Sequence, residues 1–107
     1  MRMADIFFKE QRAGILREDE NGYSFIYDSD YLQTPGARPV SRTLPLRSEA
    51  YVGKTLFAFF DGLIPEGWLL NFAVTNWKVN PNDRMGLLLC CCKDCIGAVS
   101  VAERKKP

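Results

Sequence analysis

Hydrophobic and polar positions follow two different rhythms along this chain. From Ile6 to Tyr27 the apolar residues come in short, aromatic or branched runs interrupted by polar ones, which predicts strands at Ile6 to Lys9, Gly14 to Arg17 and Tyr23 to Tyr27. Asn21-Gly22 lies between the second and third, and both residues accept the positive φ of a type I′ turn, so a hairpin is expected there. Asp28 to Leu32 reads as a helical turn, and Gln33 to Pro39, with two prolines and a glycine, as a loop. Val40 to Leu46 reads as one more extended piece, placed at a sheet edge because Pro45 donates no ladder hydrogen bond.

After Thr55 the spacing of apolar residues changes to three and four. Thr55 is the expected cap of a short helix carrying Leu56, Phe59, Phe60 and Leu63. Pro65 opens a second helix where its missing N–H costs little, with Glu66 favourable against the helix dipole and Leu69, Leu70, Phe72, Ala73 and Trp77 along its length. Asn80-Pro81-Asn82-Asp83 breaks that helix and caps a third, Arg84 to Cys92, and Gly97 to Ala102 is a last strand returning to the sheet. The aromatics Phe59, Phe60 and Phe72 are expected in the core. The predicted fold is α+β: a single domain over residues 1–107, with a small antiparallel sheet or partial barrel covered by about three helices. No repeat, low-complexity segment or internal linker interrupts it.

Composition removes several functions. With 107 residues, 47% of them hydrophobic, one core forms without staples. Fourteen basic against thirteen acidic residues leave a net charge of +1, so there is no general pull towards nucleic acid or membrane. The basic run Arg104-Lys105-Lys106 lies at the C-terminus, Arg2 and Asp5 interrupt any leader-like start, and Met85 to Cys92 is too short to span a bilayer. A soluble, cytoplasmic protein is expected.

The chain has no histidine, which removes Ser-His and Cys-His nucleophilic arrangements. Glu18-Asp19-Glu20 reads as a solvated hairpin tip. Asp28-Ser29-Asp30 begins like a calcium loop, but the glycine and closing glutamate do not follow in register. No phosphate loop is present. Cys90, Cys91, Cys92 and Cys95 include a C-x-x-C, yet no second ligand pair exists elsewhere in the sequence for a structural zinc. Their preferred reading is as small hydrophobes on a buried helix. No enzyme activity, cofactor or metal is expected.

The stretch Phe57-Ala58-Phe59-Phe60-Asp61-Gly62-Leu63-Ile64-Pro65-Glu66-Gly67-Trp68 is the most specific in the chain. A Pro-Glu-Gly joins two aromatic-rich segments, and an indole follows where a surface helix normally carries a polar group. A first-turn side chain at such a corner projects outward, and Trp is enriched among residues that carry binding energy. Leu63, Ile64, Pro65, Glu66 and Trp68 are therefore the expected partner-binding residues, set against the alternative that Trp68 folds back onto Phe72.

Four motifs in order carry a family resemblance: Tyr23-x-Phe25-x-Tyr27-Asp28-x-x-Tyr31-Leu32, Ser41-Arg42-Thr43-Leu44-Pro45-Leu46, Phe59-Phe60-x-x-Leu63-Ile64-Pro65-Glu66-Gly67, and Asp94-Cys95-Ile96-Gly97-Ala98-Val99. Over about residues 5–102 the chain resembles the N-terminal subdomain of HipA-type serine/threonine kinases, the toxins of toxin–antitoxin modules. It departs from the pattern at Cys92, where a glycine is common, and at Trp68. Pro107 falls where the kinase part would begin, so the chain reads as a standalone copy. It thereby resembles the HipS component of three-gene HipBST modules. That resemblance implies an antitoxin that binds and inhibits a HipT-like kinase, in a complex with a HipB-like helix-turn-helix repressor. Two other readings remain: a subunit that completes or activates the kinase, and a thiol or metal protein.

Overall fold

The computed structural model describes residues 2–64, 82–91 and 98–104. Five strands form one open antiparallel sheet: β1 (Arg2–Phe8), β2 (Gln11–Asp19), β3 (Gly22–Tyr27), β4 (Tyr51–Gly53) and β5 (Val99–Glu103), in spatial order β4-β3-β2-β1-β5. Short helices α1 (Ser29–Gln33), α2 (Ala58–Asp61) and α3 (Arg84–Cys91) accompany it. The α+β class with an antiparallel sheet agrees with the sequence, and the sheet is open rather than barrel-like. The expected second helix, with Phe72 and Trp77, lies outside the described residues.

Alternation along the strands explains the two faces. Ala4, Ile6, Leu16, Phe25, Tyr27 and Val101 point to one side and are buried against Leu56, Phe60, Ile64, Met85, Leu87 and Leu88. The other side carries Asp5, Ile15 and the exposed Ile26 and Val52. A register shift between Ile6 and Phe7 makes Ile6 face Gly14 and Phe7 face Arg12, leaving Ala13 as an extra residue. This bulge is why Ala13 and Gly14 are buried in succession, breaking the period of two. Gly14 lies under the Phe25 ring, and a Cβ there would come 2.3 Å from the Ile26 carbonyl oxygen.

The strands are longer than their sequence signals, because ladder pairing extends into flanking polar residues such as Arg2 and Glu18. Three local expectations change. The hairpin turns at Glu20-Asn21, with the Asn21 amide donating to the Asp19 carboxylate at 2.8 Å. Among the described residues only Lys9 is a non-glycine with positive φ, so Asn21-Gly22 does not form the type I′ turn. Gly22, at φ 133, is instead required where a Cβ would meet the Gly53 carbonyl oxygen at 2.3 Å. Glu18 is only partly solvated: it accepts from Arg2 and from the Tyr23 hydroxyl.

The second change concerns Val40 to Leu46, which is not a strand. The fourth strand is Tyr51–Gly53, and the earlier segment makes only a bridge between Ser41 and Leu44. Phenols hold this loop in place of a ladder. The Tyr27 hydroxyl donates to the Leu44 carbonyl and accepts from the Val40 amide at 3.0 Å. Tyr31 does the same for Arg38, donating to its carbonyl at 2.6 Å, and Tyr51 donates to the Pro45 carbonyl at 2.6 Å. Buried tyrosine hydroxyls need partners, and loop backbone supplies them.

Third, Thr55 is not the cap of α2. Phe57 occupies that position, without a side-chain capping bond. The buried stripe is Leu56, Phe60 and Ile64 at spacing four, while Phe59 and Leu63 are half-buried beside it.

Candidate partner-docking corner

The corner begins as a single helical turn. Asp61 donates its amide to the Phe57 carbonyl at 3.0 Å and Gly62 to Ala58 at 2.9 Å. Leu63 then donates to Phe60 and Ile64 to Asp61, at 3.0 and 3.2 Å, so the chain tightens as it leaves the helix. A turn this short has no stability of its own. Its anchor is Phe60, fully buried and set edge-on to Phe25 at 5.4 Å, with Phe59 at 5.2 Å and Phe57 at 6.3 Å around it. Burying such a ring contributes about 1.5–3 kcal/mol, and each edge-to-face pair about 0.5–1.5 kcal/mol more.

Charge fixes the corner laterally. The Arg84 guanidinium, at the start of α3, donates to Asp61 at 2.6 Å. The preceding residue, Asp83, caps α3 by accepting from the Gly86 amide at 3.1 Å and takes a two-pronged contact from Arg2 at 2.7 and 2.8 Å. Arg2 also donates to Glu18 at 2.7 Å. One arginine thus ties β1, β2 and the helix start together. Hydrogen bonding to Asp83 strengthens the Arg2 guanidinium's hold on its proton, and Arg2 in turn holds the Asp83 carboxyl below its usual range. Burial, then the Glu18 carboxylate, pushes the Tyr23 phenol up.

Of the five sequence-derived docking residues, two are described. Leu63 is half-buried at the outside of the turn, and Ile64 is 3% exposed and packs into the core. Pro65, Glu66 and Trp68 lie outside the described residues, as do the side chains of Cys90, Cys91, Cys92 and Cys95. Among the described residues no three His, Cys, Asp or Glu side chains are placed to hold a metal, and no helix is long and apolar enough to cross a membrane. The corner as described offers apolar surface on a stiff mount. The charged mount was missed in the sequence, apart from Asp83 as a cap, because Arg2 and Asp83 stand 81 positions apart with no periodic signal between them.

Comparison with known proteins agrees with this architecture. The family model for the HipA N-terminal domain matches residues 4–102. A Haemophilus influenzae protein described only as uncharacterized is 31% identical over 106 residues, covering 99% of this chain and 96% of the relative. The solved N-terminal domain of HipA toxin superposes with a TM-score of 0.77 at 28% identity, covering 100% of this chain and 96% of that one. The match is to that domain and not to a kinase catalytic domain. With the same five-stranded antiparallel sheet and a family match along nearly its full length, the chain belongs to the HipA N-terminal domain family.

Proposed function

We propose that this protein is the antitoxin of a three-part, HipBST-like toxin–antitoxin system. In this reading it binds a HipT-like serine/threonine kinase in the cytoplasm and inhibits it, performs no catalysis itself, and shares a complex with a HipB-like repressor. The observation that carries the reading is the extent of the family match. The chain covers 96% of its Haemophilus influenzae relative, so that relative is little more than this one domain. A surface that packs within one chain in a longer kinase is available to pack between chains when the domain is separate.

The docking element is the segment Leu63, Ile64, Pro65, Glu66 and Trp68. Within it, Ile64 packs into the core at the end of a turn anchored by Phe60 and the Asp61–Arg84 pair. Preorganisation of Leu63 and Ile64 lowers the ordering cost of association. Trp68 supplies the principal contact, near the kinase active site.

The experiment is a phosphorylation assay with a candidate HipT-like kinase from the same genome, together with calorimetry of the complex. Wild type is expected to suppress phosphorylation. Trp68→Ala is expected to keep its melting profile, lose about 2 kcal/mol or more of binding and release the kinase. Stimulation of the kinase would replace inhibition by the completing-subunit reading. A folded Trp68→Ala that inhibits as well as wild type would remove the site assignment and leave the partner standing.

A further inference from the structure

A cleft of about 520 Å³ opens between the β1–β2 turn and the loop after α1. Its described lining falls into two groups. Phe8, Tyr31, Pro35 and Ala37 give it an apolar floor, and Lys9, Glu10, Gln11, Thr34 and Arg38 a polar rim. The Arg2 corner lies at the opposite end of the same strands. Six residue steps along β1 separate Arg2 from Phe8, about 20 Å at the usual strand rise. This cleft is therefore a different surface from the one around Arg2.

Two features set it apart from ordinary surface relief. The first is charge. Arg2, Arg12, Arg17, Arg84 and Arg104 all reach carboxylates, whereas among the described residues Lys9, Arg38, Arg42, Arg47 and Lys54 pair with none; of these five only Lys9 and Arg38 line the cleft, beside a single acid, Glu10. The second is rigidity. The Tyr31 hydroxyl donates to the Arg38 carbonyl and accepts from its amide, at 2.6 and 3.3 Å. Gln11 donates to the Thr34 hydroxyl at 2.9 Å, and that hydroxyl donates to the Asp30 carbonyl at 2.9 Å. On the other wall the Lys9 amide donates to the Ala98 carbonyl while Lys9 itself holds a left-handed φ of 59°. A non-glycine in that region is held there by its surroundings rather than by its own preference. Both cations thus stand on fixed backbone.

We propose that this cleft binds an acidic peptide segment of a protein partner, with carboxylates on Lys9 and Arg38 and an apolar side chain on the Phe8 and Tyr31 floor. The volume suits a few residues, and its half-open form suits a chain passing across it more than an enclosed small molecule. Cations carried on held backbone beside an apolar floor favour a ligand that alternates acidic and apolar side chains.

Amide-resolved NMR titration of the full chain tests this with a capped pentapeptide, Leu-Glu-Leu-Glu-Gly, its Gln-for-Glu counterpart, inorganic phosphate and a single-stranded oligothymidine. Saturating shifts confined to residues 8–11 and 34–38, seen with the acidic peptide and at least tenfold weaker with the neutral one, are expected. The double variant Lys9→Asn, Arg38→Gln is expected to weaken binding at least tenfold with the remaining spectrum unchanged, since Asn tolerates the left-handed backbone. Arg42→Gln, on the exposed turn beyond the cleft, should bind as wild type. Equal binding by the neutral peptide, retention of affinity in the double variant, or shifts spread over every surface cation would overturn the proposal. Phosphate or oligothymidine binding the same residues as tightly would overturn the peptide assignment.

Discussion

Where β1 begins, charge holds the neighbouring elements in place; where β1 ends, phenols hold the loop, beside one ion pair from Arg12 to Asp28. At the first end Arg2 joins Glu18 to Asp83, and Arg84 joins Asp61, so side chain meets side chain across long sequence separations. At the second, Tyr27 and Tyr31 meet loop carbonyls and amides, so side chain meets backbone, at separations of 7 to 17 residues. The difference is one of what is being held. A helix start presents a charged cap and an orphan amide, which suit ion pairing, while a proline-containing loop presents backbone groups that a sheet would otherwise satisfy. The first arrangement mounts a projecting corner. The second shapes a cleft.

The sharpest way to break the contrast is to remove the apolar anchor between the two ends. Phe60→Ala is expected to cost about 3–5 kcal/mol, read from denaturant midpoints, because the ring is fully buried among Phe25, Phe57 and Phe59. The corner should suffer first. Hydrogen exchange at the Gly62, Leu63 and Ile64 amides should accelerate more than at the Val40 amide, and equal acceleration would show the ends to be one cooperative unit.

Tyr27→Phe addresses the phenol end. It leaves the Leu44 carbonyl and Val40 amide without their partner, an expected loss of about 1–3 kcal/mol. The variant also changes the response to alkali. Burial pushes the Tyr27 phenol up to about 12, against the lowering effect of the Val40 amide. An unfolded tyrosine ionises near 10, so above about pH 10 the native state holds the proton that the unfolded state has lost. Stability is complete below that pH and declines as it rises towards 12. Urea midpoints across pH 9–12 should fall for wild type and fall less for Tyr27→Phe.

Arg2→Met gives the smallest expected effect, about 1 kcal/mol, since all three charged side chains are partly exposed. Its signature is acid and salt. Asp83 is held below the usual carboxylate range by Arg2, so its contribution is present above about pH 4 and is lost as pH falls through the native value. The variant should lose less than wild type on acidification and on raising salt. An unchanged acid limb would mean that Arg2 packs rather than pairs.

The same contrast explains what could be read in advance. Strand positions were legible because period two survives on either side of the Ala13 bulge, and Asp83 as a cap was legible from its local sequence. The edge strand was misplaced because Val40 to Leu46 has strand-like residues, while its backbone is bonded by the phenols of Tyr27, before it, and Tyr51, after it. Tyr51-Val52-Gly53 is too short to give a pattern at all. At the corner, the Leu63-Ile64 apolar pair stood out, but which of the two faces inward depended on the helix starting after Phe57 rather than at Thr55. The Arg2 network is invisible to any local rule.

The close approach of Gly22 to Gly53 bears on how such a domain avoids self-association. An open sheet invites other chains to add strands at its borders, with polymerisation as the outcome. Here the β4 border runs for three residues and ends at a glycine pressed against its neighbour, followed by the exposed Lys54. A visiting strand would find too few amides in line to compensate for its ordering, and a charge at the end of the row. Substituting Gly22 by a larger residue would push β4 aside and uncover β3, converting a blunted margin into a longer template for fibre growth.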